Sequence, residues 1–142
     1  YYGYRGWVVD VNLKVCDLSD SGLHVIGKEC FLACNELTDL SLPNEAEVIG
    51  DYAFSGCSSL TSIDIPDGVT TIGSSAFWGC ESLKEITIPD SVTEIESMAF
   101  SGNAFTSITL PEGITSISDY LFQENSFYVS IGPDDIKLNL KV

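Results

Sequence analysis

Residues with reactive side chains are few in this chain and scattered along it. There are one histidine, His24, five cysteines, and 21 acidic residues against six lysines and arginines. Enzymes bring a nucleophile, a base and an orienting group together in one pocket. The sequence contains no Gly-x-Ser-x-Gly elbow, no His-Glu-x-x-His and no phosphate-binding glycine loop. We therefore expect the protein not to be an enzyme and to need no cofactor.

The cysteines follow a spacing that predicts structure and not catalysis. Cys34, Cys57 and Cys80 are 23 residues apart, so in a stack of coils they would lie about 4.8 Å from one another. We interpret them as a column of small buried thiols. The odd total leaves at least one thiol unpaired within the chain, and whether any disulfide forms stays open. Cys30 and Cys34 alone do not supply the four ligands of a zinc site, so we predict no metal.

A repeat of 22 or 23 residues organises the chain. Its phenylalanines and prolines keep the same step: Phe31, Phe54, Phe77, Phe100 and Phe122, with Pro43, Pro66, Pro89 and Pro111. A fixed period of this length indicates a repeat solenoid. Equivalent positions in successive coils should then form contacting rows, with phenylalanine stacked on phenylalanine inside.

Each coil should contain a short parallel strand. Ile63 and Ile65 alternate with polar residues, which is typical of a half-buried strand. Pro66 ends that strand because its ring removes the amide that a ladder would use. Val69 and Ile72 indicate a second extended or turn-like segment that faces the core.

The rest of each coil should form turns or one helical turn on the outer side. Gly56, Gly79 and Gly102 occupy the position where a left-handed residue would close such a turn. The fourth coil is one residue shorter than the others and places Phe105 where the third has Leu83. We interpret the larger side chain as compensation for the missing residue.

The two ends depart from the repeat, as terminal coils usually do. We predict one domain over 1–142, with an N-terminal cap over 1–22, about five repeats over 23–127, and a C-terminal cap or truncated continuation over 128–142. Alternating apolar residues predict a strand at each end: Val9, Val11, Leu13 and Val15, then Ile136, Leu138, Leu140 and Val142. Because the chain opens at Tyr1 and not at Met, we expect a processed product or an excised piece.

The pattern Leu-x-x-Ile-x-Ile-Pro-x-x-Val-x-x-Ile-Gly-x-x-Ala-Phe-x-x-Cys, from Leu60 to Cys80, resembles the repeat of BspA-like (Treponema-type) leucine-rich-repeat proteins. The resemblance is strongest from Val25 to Pro111. It implies a right-handed leucine-rich-repeat coil with short parallel β-strands on one face and turns or one-turn helices on the other. It also implies an exported surface protein that adheres to host or extracellular-matrix proteins.

The charge of the chain narrows the class of partner. A net charge of −15 opposes binding to nucleic acids and to anionic membranes, because both require cationic side chains. No apolar run approaches the roughly 20 residues of a membrane-spanning helix. Cationic, neutral or calcium-bridged partners remain, and salt should stabilise the protein by screening the carboxylates.

The outward residues of the strands are the candidate binding site. They are Asp39 and Ser41, Ser62 and Asp64, Glu85 and Thr87, and Ser107 and Thr109, with a second file just past the prolines at Asn44, Asp67, Asp90 and Glu112. Stacking would make them neighbours in space on a rigid, polar surface, which suits protein recognition. We therefore predict a non-catalytic adhesion module of a secreted or cell-surface protein that binds a protein partner, with its oligomeric state open.

Two alternatives remain at this point. The chain could be a structural spacer within a longer repeat array. It could also bind calcium or carbohydrate, with Asp64, Asp67 and Asp90 as oxygen ligands. The aromatic residues available for a sugar platform are Tyr1, Tyr2, Tyr4 and Trp7.

Overall fold

A computed structural model describes residues 11–114 and 118–125, together with the backbone of 128–131 and 136–139. It contains short strands and turns, and the described residues form no helix. The strands are β1 (Val15–Asp17), β2 (Val25–Ile26), β3 (Asp39–Ser41), β4 (Val48–Ile49), β5 (Ser62–Asp64), β6 (Thr71–Ile72), β7 (Glu85–Thr87), β8 (Glu94–Ile95), β9 (Ser107–Leu110), β10 (Tyr128–Ile131) and β11 (Ile136–Asn139).

The strands stack in two files, and each coil through β8 contributes one strand to each file. One file is a four-stranded parallel sheet in the order β2-β4-β6-β8. The other, which we call the strand face, consists of the parallel pairs β1-β3 and β5-β7 followed by the sheet β9-β10-β11. In both files equivalent residues pair across coils, as Ile63 does with Ile86 and Ile49 with Ile72. The predicted solenoid with short parallel strands is confirmed.

Phenylalanine rings form a continuous column through the core. The ring centroids of Phe31, Phe54, Phe77, Phe100 and Phe122 follow one another at 5.3, 5.2, 5.7 and 6.0 Å, and adjacent rings lie within 15° of parallel. The rows predicted from the period are therefore present. Phe105, the larger residue of the shortened fourth coil, is buried and meets Phe100 edge-on at 5.9 Å.

The outer side of each coil consists of turns, so the helical alternative is wrong for the described residues. In each coil two residues have a left-handed backbone: the one two positions before the phenylalanine and the one two positions after it. Gly56, Gly79 and Gly102 take that conformation as predicted, and so do non-glycine residues such as Tyr52 and Met98. A left-handed residue on each side of the phenylalanine interrupts the right-handed backbone that an α-helix requires.

A ladder of backbone hydrogen bonds joins these turns from coil to coil. The amides of Glu29, Phe31 and Ala33 donate to the carbonyls of Asp51, Ala53 and Ser55 at 2.7–2.9 Å, and later coils repeat the pattern. In this turn ladder the earlier coil always donates to the later one. The bonds that follow β4, β6 and β8 run the opposite way, since Gly50, Gly73 and Glu96 donate to Ile26, Ile49 and Ile72.

The Ile-Gly step of the repeat has a steric cause. A Cβ atom on Gly50 would lie 2.8 Å from the carbonyl oxygen of Ile26, and one on Gly73 would lie 2.7 Å from the amide nitrogen of Asp51. Real Cβ atoms do not approach backbone so closely, so a side chain at Gly50 or Gly73 would force the neighbouring coil to shift.

The chain ends differ from the strands predicted there. Residues 11 and 12 form a turn, and β1 begins only at Val15, whose side chain is exposed. The alternation through Leu13 therefore does not mark a strand of the described chain, and Val9 lies outside it. At the other end, β11 covers Ile136–Asn139 and pairs antiparallel with β10. Leu140 and Val142 lie outside the described residues, and the cap boundaries stay predictions.

Candidate functional site

The strand face presents all eight predicted strand residues to solvent. Asp39 and Ser41 extend from β3, Ser62 and Asp64 from β5, Glu85 and Thr87 from β7, and Ser107 and Thr109 from β9. Each strand exposes these residues because its central residue points inward, as Ile63 does. The register places Ser62 beside Glu85 and Asp64 beside Thr87.

The file past the prolines is exposed as well. It contains Asn44, Asp67, Asp90 and Glu112, each directly after a proline that ends a strand segment. The structure therefore brings both predicted files to the surface. It adds Asp17 of β1, which pairs in register with Ser41 and was missed because its coil lacks the proline. Hydrogen bonds from the hydroxyl and amide of Ser19 lower the pKa of the Asp17 carboxyl.

Few cations balance these carboxylates. Within the described part of the chain, the ion pairs are Lys14 with Glu36 at 3.9 Å and His24 with Glu47 at 3.3 Å. Neither includes a predicted site residue. The strand face is consequently a polar surface of uncompensated negative charge, which favours cationic partners by long-range attraction.

The surface is not uniform, because a groove opens between β7 and β9. It encloses about 1350 Å³, and we call it the β7–β9 groove. Its lining includes the half-buried Ile86 and Ile88, whereas the equivalent Ile63 and Ile65 of the preceding coil are 3% and 5% exposed. Strands β7 and β9 are not joined in one sheet. The fourth coil is one residue short immediately before β9, and Ala104 donates to the carbonyl of Leu83 there.

The thiols form the predicted buried column and are chemically quiet. The five cysteines, all within the described residues, are thiols and not disulfides, and Cys34, Cys57 and Cys80 are fully buried. The thiols of Cys57 and Cys80 donate to the carbonyls of Phe31 and Phe54 at 3.3 and 3.1 Å. Burial raises the pKa of Cys80 to about 12 and that of Cys57 further still. A thiol that stays protonated is a poor nucleophile and a poor metal ligand.

Asparagine replaces cysteine in the last two coils of this column. Asn125 donates to the carbonyl of Phe100 at 2.7 Å, as the thiols do with the preceding coil. Asn103 is 9% exposed, and neither polar atom of its amide has a hydrogen-bond partner among the described residues. The sequence carried this signal, since both asparagines stand three residues after a repeat phenylalanine.

The described residues give little support to a catalytic site or a metal site. His24 is exposed, and its imidazole lies 3.3 Å from the carboxylate of Glu47. In the described segments no three His, Cys, Asp or Glu residues lie close enough together to hold a metal ion. The predicted calcium ligands Asp64, Asp67 and Asp90 therefore do not form such a group. The aromatic residues Tyr1, Tyr2, Tyr4 and Trp7 lie outside the described chain. Among the segments that are described, there is also no helix with the length and hydrophobicity to cross a bilayer.

Solved structures with the same architecture come from bacteria. A leucine-rich cell-surface protein of Faecalibacterium prausnitzii is 31% identical with a TM-score of 0.74, covering 93% of this chain and 38% of that one. A leucine-rich-repeat protein of T. pallidum is 34% identical with a TM-score of 0.68, covering 76% and 50%. One from Bacteroides ovatus is 29% identical with a TM-score of 0.58, covering 84% and 42%. The chain thus spans half or less of the length of each of these proteins.

A comparison with curated proteins gave no match. The sequence model of the BspA-type leucine-rich repeat region, in contrast, matches residues 11–137 in six copies. That match covers most of the chain and rests on the same repeat that builds the phenylalanine column and the strand face. Together with two solved relatives above 30% identity, it shows that the chain belongs to the BspA-type leucine-rich-repeat family.

Proposed function

We propose that this chain is a non-catalytic protein-binding module of a secreted or cell-surface protein and that it adheres to its partner through the strand face. The observation that carries the proposal is the exposure of both predicted files on stacked backbone. Side chains held on such a scaffold lose little conformational entropy on binding. A relative of known structure is described as a leucine-rich cell-surface protein, which supports the location.

The binding surface in this proposal consists of the twelve predicted residues. They are Asp39, Ser41, Ser62, Asp64, Glu85, Thr87, Ser107, Thr109, Asn44, Asp67, Asp90 and Glu112. Their exposure makes them available to a partner, and the uncompensated charge among them favours a host or extracellular-matrix protein with a basic surface. No enzymatic step is part of the proposal, since the chain has a single histidine, which is exposed, and burial keeps the thiols of Cys57 and Cys80 protonated.

Capture of matrix proteins on the immobilised domain tests this function. The charge reversals Asp64→Lys and Glu85→Lys should together weaken capture by about tenfold, because rim charges steer and hold a charged partner. The melting temperature should stay nearly unchanged, since both residues are exposed. Equal capture by wild type and variant would show that these strand-face carboxylates do not bind the partner.

A structural spacer is the second candidate. The segment shared with this chain makes up 50% of the T. pallidum protein and 38% of the F. prausnitzii protein. These two proteins are therefore two to nearly three times as long as the shared segment. A repeat array of that length can present another domain without binding anything itself. Full-length proteins that adhere equally well with these coils deleted would favour the spacer.

A further inference from the structure

The β7–β9 groove is a concave part of the strand face, lined by half-buried isoleucines and by exposed carboxylates. It has depth where a sheet is normally flat, and its volume of about 1350 Å³ exceeds the roughly 300–1,000 Å³ of typical small-molecule pockets. It is open to solvent along the strands. Its size fits a segment of polypeptide better than a metabolite.

The apolar part of the groove is uncovered core. Ile86 and Ile88 pack against the central cluster yet remain half-buried, whereas their counterparts in the next coil, Ile108 and Leu110, are 4% and 0% exposed. Burial of apolar surface stabilises a complex by about 25 cal/mol per Å² before the costs of association. An aliphatic side chain of a partner would therefore gain contact on these two isoleucines.

The charged part of the groove is acidic and lacks counterions. Glu85, Asp90 and Glu112 are exposed and line the groove, and none has a cation within ion-pair distance among the described residues. Lys84 is the one lysine or arginine among the lining residues. Three carboxylates against one ammonium favour an occupant that carries lysine or arginine.

We infer that the β7–β9 groove docks an extended segment of a protein partner in which basic and aliphatic side chains alternate. This inference rests on the proposed function and specifies where on the strand face the partner sits and what it carries. In an extended segment alternate side chains point to opposite faces. The flexible stems of lysine and arginine let their charged ends reach rim carboxylates while aliphatic residues cover Ile86 and Ile88.

A labelled peptide of about eight residues, with alternating lysine and leucine, is the probe, and its counterpart with glutamate in place of lysine is the charge control. Fluorescence anisotropy with the intact chain at about 0.15 M salt measures binding. We expect saturable binding of the basic peptide and none of the acidic one. Equal binding of both peptides would overturn the charge argument.

Exposed carboxylates elsewhere in the chain provide a matched control. The double variant Glu85→Lys/Glu112→Lys should bind the basic peptide at least about tenfold more weakly. Glu45→Lys/Glu94→Lys makes the same change in charge at exposed positions outside both the groove and the twelve residues of the proposed binding surface, and should bind within about twofold of wild type. Equal losses in both double variants would mean attraction to net charge alone and would overturn the groove, whereas capture of matrix proteins by the Asp64→Lys/Glu85→Lys variant tests the wider strand face separately.

A neutral variant tests shape separately from charge. Thr87→Trp places an indole in the groove, and Thr61→Trp places one at an exposed position outside both the groove and the twelve residues of the proposed binding surface. We expect about tenfold weaker peptide binding for the first and little change for the second. Unchanged binding with Thr87→Trp would exclude the groove. Capture of matrix proteins by the same variant would then show whether the proposed function survives without it.

Discussion

The thiol of Cys80 donates a hydrogen bond to the backbone carbonyl of Phe54, 26 residues earlier, at 3.1 Å. Cys57 makes the equivalent bond to Phe31. The column of thiols thus lies beside the column of phenylalanine rings and fixes one coil to the previous one. Because both atoms are buried, the bond depends on a protonated sulfur.

Alkaline pH should therefore unfold the protein. Burial raises the pKa of Cys80 from 9.0 to about 12, so its stabilising contribution is complete below pH 9 and is lost as the pH rises towards 12. Over that window the free energy of unfolding should fall by up to about 1.4 kcal/mol per pH unit for each such thiol. Urea denaturation at about pH 8 and about pH 10.5 measures the slope.

The control for this prediction is Cys80→Ser, which keeps a hydroxyl donor but does not titrate in this range. Its free energy of unfolding should depend less steeply on pH than that of the wild type. Identical slopes in the two proteins would show that the Cys80 thiol does not govern alkaline unfolding.

Two glycines of the second coil should respond differently to substitution. Gly73→Asn should destabilise the protein by more than about 2 kcal/mol, because its Cβ would lie 2.7 Å from the amide nitrogen of Asp51. Gly79 has φ +68° and nothing within 4 Å of a Cβ. Asparagine tolerates that backbone, so Gly79→Asn should cost about 1 kcal/mol or less. Chemical denaturation compares the two, and equal costs would refute the close approach.

Asn103 should be a weak point of the solenoid. Its amide is buried without a described partner, which costs about 1–3 kcal/mol. Asn103→Cys restores the residue of the first three coils and should raise the free energy of unfolding by about 1 kcal/mol. Asn125→Ala, which removes the bond to Phe100, should lower it by a similar amount. A loss of stability in Asn103→Cys would mean that the amide is satisfied, for example by a water molecule.

Salt should stabilise the protein through its charge. With a net charge of −15, raising NaCl from about 0.01 M to about 0.5 M screens repulsion among the stacked carboxylates and should raise the melting temperature. The triple variant Asp64→Asn/Glu85→Gln/Asp90→Asn should gain less from the same salt. If the gain is unchanged, salt acts on apolar burial and not on the strand face.

The period of the sequence predicted most of the fold because a solenoid repeats its contacts. Phe31 through Phe122 had to stack once their positions were equivalent, and the prolines located the exposed files. The outer segment was harder to predict. Short runs rich in glycine and serine are compatible with a helical turn as well as with the observed turns. The left-handed backbone at Tyr52 and Met98 could not be predicted either, because these residues are not glycine.

The groove could not be predicted from repeat positions. The sequence showed that the fourth coil lacks one residue, and Phe105 was correctly expected to replace Leu83. How that loss is absorbed depends on the backbone between Asn103 and β9. Strands β7 and β9 are not joined in one sheet, and Ile86 and Ile88 stay half-covered. A pattern of residue types records which side chains face inward but not how far neighbouring strands lie apart.

The two sets of bonds between coils point in opposite directions, and this affects how long such an array can become. In the turn ladder the peptide dipoles are aligned along the stack, as they are in a helix, where they add up to partial charges at the ends. The bonds that follow β4, β6 and β8 are oriented the other way and offset part of that sum. Adding whole coils therefore increases the electrical polarity between the two ends by less than the turn ladder alone would.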